Sequence, residues 1–248
     1  MSQTAATNES RIIELRQYTL HPGKLDSFIP LFEREFIETQ EAVGMRVIGQ
    51  FRDLDNPNRF VWLRSFPDMP ARAESLQAFY GGPVWQANRE AANAHFIDTD
   101  DVLLLRQAGD AGDGAQRVAN RAPPGASIDA SGIVVVTIYA LDEPADEFAP
   151  FFHQVMQPLL DGAGLSVLLS LETEPSVNNF PRLPIREGEN VFVWIAAFAR
   201  EEDYRAGYAR LSQLPQWRDT LAPSLRRRLK ATPQVLRLKP TPRSALHG

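Results

Sequence analysis

Glu14, Arg16 and Tyr18 stand two residues apart in the run IIELRQYTL (12–20), and Trp62 and Arg64 stand two apart in FVWLRSF (60–66). A carboxylate, two guanidiniums and a phenol on one face of a sheet can do one of two things. They can form a polar pocket, in which the arginines hold an anionic group and the tyrosine donates a proton or a hydrogen bond. They can equally satisfy one another as a buried ion pair, with no ligand at all. Alternation along a strand puts Ile12, Glu14, Arg16 and Tyr18 on one face and Ile13, Leu15, Gln17 and Thr19 on the other. If Ile13 and Leu15 face the helices, then Glu14, Arg16, Tyr18, Trp62 and Arg64 lie inside, where two sheets meet, as a structural cluster. The helix side holds a separate set of polar candidates for binding a ligand. They are Gln17 and Thr19 from the strand, with Tyr80 and His95 approaching from a helical segment. They form no recognisable triad, so no catalytic residue is assigned.

Other reactive residues are sparse. The chain has no cysteine, which removes disulfides, thiolate metal sites and cysteine nucleophiles together and suits a reducing cytosol. His21, His95, His153 and His247 are scattered, and no HxxxH, ExxH or carboxylate cluster has metal-ligand spacing. The acidic DTDD (98–101) lacks the loop length and glycine of a calcium site. No metal is expected, and no cofactor, with haem on a lone helix histidine kept as the alternative. Neither G-x-G-x-x-G nor a Walker A motif is present, so nucleotide binding has no support. A net charge of −5 gives no electrostatic reason to expect nucleic acid or an anionic membrane as partner. The first residues, MSQTAATNESR, hold no apolar signal-peptide core, and GIVVVTIYAL (132–141) is about half the length a bilayer requires. A soluble, cytoplasmic protein is expected.

The elements that must position these residues are written twice. FVWLRSF returns as FVWIAAF (192–198), Tyr18 is matched by Tyr139, Gly44 by Gly164, Trp85 by Trp217 and Arg106 by Arg237. The offset between copies lengthens once, by about a dozen residues, within SLETEPSVNNFPRLPIREGEN. That inserted loop, 172–190, is stiffened by Pro175, Pro181 and Pro184, and would lid a cavity or cover a partner. Each copy reads β-α-β-β-α-β. Leu25, Phe28, Phe32 and Phe36 recur at helical spacing, as do Phe148, Phe152, Val155 and Leu159, and a glycine follows each helix. Residues 11–108 make the first module, the Gly/Ala/Pro-rich 109–131 a linker, and 132–240 the second module. The copies are unequal. Glu14 and Arg16 align with Val135 and Thr137, and Arg64 aligns with Ala196.

A β-α-β-β-α-β unit is a ferredoxin-like, four-stranded antiparallel sheet with both helices on one face. The bare face must be buried, and two such units in one chain bury theirs against each other. The predicted fold is therefore α+β: tandem ferredoxin-like repeats closing an intrachain barrel of antiparallel sheets. I-x-E-L-R-x-Y-x-L-x-P-G (12–23), GxxxxGxF (44–51), FVWLRSF, GGPVW and DTDDVLLLR together resemble the NIPSNAP family of the dimeric α+β barrel superfamily. The resemblance covers residues 11–108 well and 132–240 more weakly, since the first-strand Glu and Arg are missing there. It implies a protein that binds a small organic molecule, or a cofactor-free enzyme. Superfamily members include cofactor-free monooxygenases, haem-degrading enzymes, cyclases, isomerases and haem peroxidases, and fold does not choose among them. A haem-handling protein and a non-catalytic interaction protein are the alternatives. Helix faces and the inserted loop stay free after closure, so a homodimer or larger homo-oligomer is expected.

Overall fold

The computed structural model describes residues 12–109, 121–125 and 132–247. Arg11 and most of the predicted 109–131 linker lie outside the described residues. The first half runs β1 (Ile12–Leu20), α1 (Leu25–Glu35), α2 (Ile37–Glu41), β2 (Arg46–Asp53), β3 (Arg59–Phe66), α3 (Met69–Gly81), α4 (Pro83–Asn93) and β4 (Phe96–Gln107). The second runs β5 (Ile133–Ala140), α5 (Ala145–Phe151), α6 (Gln157–Gly162), β6 (Leu169–Thr173), β7 (Val191–Phe198), α7 (Glu201–Gln213), α8 (Ala222–Arg227) and β8 (Gln234–Pro240). π-Helical stretches, Phe152–Met156 and Gln216–Leu221, lie between α5 and α6 and ahead of α8.

Local chemistry sets the helix boundaries that matter for the site. Asp68 caps α3 by accepting from Ala71 N at 2.7 Å, ahead of a proline in the first turn. The break between α3 and α4 falls at Gly82, where a Cβ would stand 2.8 Å from the Ala78 carbonyl oxygen, and Pro83 restarts the helix. Among the described residues no helix is long and apolar enough to cross a membrane.

The strands of each half take the same ferredoxin-like order, β4-β1-β3-β2 and β8-β5-β7-β6. Two antiparallel seams, β2 with β8 and β4 with β6, join the sheets into a closed eight-stranded barrel. Ile13, Leu15, Val61, Leu63, Leu103 and Leu105 fill its interior against Val134, Val136, Ile138, Val193, Ile195 and Leu236. Each such side chain contributes about 1.5–3 kcal/mol on burial.

This packing reverses the expected orientation of β1. Ile13 and Leu15 fill the barrel, while Tyr18, Trp62 and Leu104 pack under the helices with Phe28, Phe32 and Phe36. Glu14 lies opposite Arg64, and Arg16 opposite Trp62, on that same helix-side face. The polar cluster is therefore not in the barrel interior. The reason is supply: an interior walled by apolar strands offers a guanidinium few partners, whereas the helix layer offers Gln40 and Tyr80 as acceptors. Residue size held the signal. β3 sets Phe60, Trp62, Arg64 and Phe66 on one face and Val61, Leu63 and Ser65 on the other. Only the aromatic face matches the phenylalanine stripe of α1, and compact Val and Leu suit a barrel core.

The inserted loop crosses from the second half to the first. Glu174 N donates to Leu104 O at 3.0 Å and Arg186 N to Val102 O at 2.9 Å, fixing the loop along β4.

Candidate ligand site beneath the helices of the first half

Glu14 is the centre of a fully buried charge cluster. Arg16 Nη1 donates to its Oε2 at 2.6 Å, Arg64 Nε to the same oxygen at 2.7 Å, and Arg72 Nε to Oε1 at 2.8 Å. All four side chains are at most 1% exposed, so three guanidiniums face one carboxylate with almost no water to screen them. Burial alone would push the Glu14 carboxyl up; Arg64, Arg16 and Arg72 outweigh it and hold the group far below the carboxylate range. Burial lowers the pKa of Arg72, against the pull of Glu14. Arg64 is also tied by Nη1 to Gln40 Oε1 at 3.0 Å, and its guanidinium lies 5.0 Å from the Trp62 ring centroid and 5.9 Å from that of Tyr80.

The aromatic side of this cluster opens into a cavity of about 100 Å³. Phe28, Phe32, Phe36, Phe79, Trp85 and Phe96 make its apolar wall, with Tyr18, Trp62, Tyr80 and Gln40 towards the charges and Asn93 and Thr99 among the polar residues. Three of these groups have hydrogen-bond capacity to give. Arg16 Nε donates to the Tyr18 hydroxyl oxygen at 2.9 Å, which leaves the Tyr18 O–H free to donate. Burial holds that phenol above its usual pKa, so it stays a donor. The Trp62 indole Nε1 is buried without a partner among the described residues. Tyr80 takes only a long 3.5 Å contact from Arg64. Gln40, by contrast, spends its amide on Phe36 O and Arg64.

The second half shows the same position without the charges. There Trp194 Nε1 donates to the Tyr139 hydroxyl at 3.1 Å, so the tyrosine and tryptophan satisfy each other. A cavity of about 110 Å³ beside them is lined by Thr137, Leu160, Trp217 and further uncharged residues.

Of the four helix-side candidates from the sequence, only Tyr80 reaches the cavity. Gln17 points into the barrel end, where its Oε1 accepts from Gln234 Nε2 at 3.1 Å. Thr19, half-buried, is two residues further along β1 in the same alternation. His95 stands behind Phe28, its Nδ1 2.7 Å from Ala91 O and its Nε2 3.1 Å from Ser27 Oγ. Gln17 and Thr19 miss the cavity because their face of β1 is the barrel face, and His95 because it is engaged with Ala91 and Ser27. Sequence reasoning also missed Arg72, although its signal was there: Arg72, Ser75, Leu76, Phe79 and Tyr80 are the buried stripe of α3, an arginine at apolar spacing.

A larger surface groove, about 610 Å³, runs between the inserted loop and the start of α5. Its arginines are already paired, Arg186 with Asp101 and Glu189 and Arg106 with Glu172. Its rim residues Pro175, Ser176, Val177 and Glu187 are exposed, whereas most of the residues lining the smaller cavity are buried, so that cavity is the better-defined site. Among the described residues no three His, Asp or Glu side chains group as a metal site would.

Residues 13–110 match the NIPSNAP family model. No curated protein matches the chain. Several solved structures resemble it over nearly its whole length. One is a candidate monooxygenase from Lactobacillus acidophilus, 14% identical, covering 94% of this chain and 94% of that one, with a TM-score of 0.54. Another is an anthrone oxidase-like protein, 12% identical, covering 97% of both, with a TM-score of 0.55. An uncharacterized NIPSNAP domain protein from Burkholderia xenovorans is 20% identical and covers 41% of this chain and 99% of that one, with a TM-score of 0.38. At identities of 14% and 12%, the two full-length likenesses speak to fold alone.

Proposed function

We propose that this chain, with its NIPSNAP-type first half, binds a small aromatic molecule bearing an acidic hydroxyl or enol in the cavity beneath the first-half helices. The observation that carries this reading is the surplus of two buried positive charges behind Tyr18 and Trp62, whose donors are unspent. An ionised oxygen there would be met by hydrogen-bond donors and a positive field, with little solvent between. Such a site favours the ionised form of its ligand, as any nearby cation does.

The class of chemistry that follows is cofactor-free oxygenation. An electron-rich enolate or hydroquinone-type phenolate can pass one electron to dioxygen, and the substrate radical and superoxide so formed recombine to make the carbon–oxygen bond, while preorganised donors stabilise the starting anion without a dedicated base. Two neighbours of this fold, the candidate monooxygenase and the anthrone oxidase-like protein, support that class. A cavity near 150 Å³ takes benzene, so about 100 Å³ admits at most one ring before the wall yields. The haem alternative draws no support from His95 or His153, whose ring nitrogens are engaged with neighbours.

4-Nitrophenol tests the reading, because its absorbance reports its ionisation directly. Protein in excess should raise the phenolate signal at a pH where the free dye is mostly neutral, and Tyr18→Phe should reduce the effect. A dye spectrum unchanged by the protein would overturn the site. Oxygen uptake with a single-ring hydroquinone, in metal-free buffer and above its uncatalysed rate, checks the class of chemistry separately.

A further inference from the structure

The inserted loop of the second half reaches the charge cluster of the first. Arg72 Nη1 donates to Asn179 Oδ1 at 2.7 Å and to Asn178 Oδ1 at 3.1 Å. The other end of each amide is tied down as well, Asn178 Nδ2 to Leu183 O at 2.9 Å and Asn179 Nδ2 to Met69 O at 2.5 Å. Phe180 stacks on Tyr80, with ring centroids 6.1 Å apart, and Leu183 forms part of the cavity wall. One loop thus closes the cavity and supplies Arg72 with the partners that Glu14, shared among three arginines, cannot.

Both partners are amides, and that is chemically telling. A carboxylate at either position would pair with Arg72 and cancel half of the surplus charge. An amide satisfies the guanidinium hydrogen for hydrogen and leaves its charge in place. We infer that Asn178 and Asn179 are specificity-determining residues: the second half, through them, keeps the first-half site positive and so selects an anionic ligand. This rests on the ligand reading given above.

The test separates charge from shape by comparing two probes of similar outline, 4-nitrophenolate and nitrobenzene. The parent protein should prefer the phenolate. Asn178→Asp should cut that preference about tenfold, equivalent to the bound phenol ionising about one pH unit higher. Asn179→Asp, at the exposed partner, should act in the same direction and less strongly, and it keeps the test open if the buried substitution fails to fold. Asn178→Ala and Asn179→Ala remove the same bonds without adding charge, and should leave the preference within about twofold. Aspartate variants that melt like the parent and keep its preference would overturn the inference while leaving the site intact. So would Asp and Ala variants that weaken both probes equally, since that marks a structural clamp. A parent protein that binds neither probe would overturn the site and this inference together.

Discussion

Glu14 holds three arginines, and its removal should cost more than the loss of any one of them. In Glu14→Gln three buried guanidiniums face no carboxylate, and breaking a buried pair in this way costs about 3–5 kcal/mol. In Arg64→Met the carboxylate keeps Arg16 and Arg72, so urea melts should rank Arg64→Met above Glu14→Gln in stability. The pH dependence follows from the same geometry. The folded-state carboxyl titrates far below the ordinary value of 4.5, so the unfolded chain takes up its proton first as pH falls. The stabilisation is complete above that ordinary value and is lost progressively as pH drops towards the folded value. Stability measured from pH 6 downward should fall in the parent protein, and the Glu14→Gln variant should show a shallower slope. Equal slopes would mean that the carboxyl is not held ionised by its arginines.

Strands explain what the sequence could and could not disclose. The order of elements and the barrel were legible because FVWLRSF and FVWIAAF, Tyr18 and Tyr139, repeat at steady spacing, whereas the strand seams between the halves were not. Glu14, Arg16 and Arg64 of the charge cluster, with Tyr18 and Trp62 beside them, were legible from period-two alternation and from the unequal copies. The face they occupy was not, because alternation fixes which residues go together but not which way they go. In the second copy both faces of β5 are apolar, so it gave no arbitration. The reach of Asn178 and Asn179 to Arg72 was equally hidden, since a loop's long-range contacts leave no period in the chain. A strand-level substitution exposes the logic. Arg16→Thr installs the residue found at Thr137, and frees the Tyr18 oxygen to accept from Trp62 Nε1 as Tyr139 does from Trp194. The chain has four tryptophans, so four indole N–H signals are expected in a nitrogen-correlated spectrum. The Trp62 signal, assigned by Trp62→Phe, should move downfield in Arg16→Thr as its hydrogen bond forms. A Trp62 signal that stays in place would show that Arg16 is not what keeps the two rings from satisfying each other.

At the scale of the molecule, the barrel joins two sheets that each lack something. The first half has an apolar face of Ile13, Leu15, Val61, Leu63, Leu103 and Leu105, with β2 and β4 as its free edges. In the intact chain β2 pairs with β8, the counterpart of β4, and β4 pairs with β6, the counterpart of β2. Two copies of the first half could therefore make the same seams, β2 of one against β4 of the other. Leaving so large an apolar face in water is unfavourable, and open strand edges are templates for pairing. Residues 1–109 expressed alone should accordingly form a dimer, measured by light scattering as twice the mass of the fragment. That dimer would lack the inserted loop, so Arg72 would lose both asparagines in each copy. It should then be less stable than the intact chain even though its barrel is closed, and its melting temperature should respond little to Arg72→Met. A fragment that stays monomeric and folded at tens of micromolar, roughly where an interface of ordinary size associates, would show that the first sheet does not need a second one to cover it.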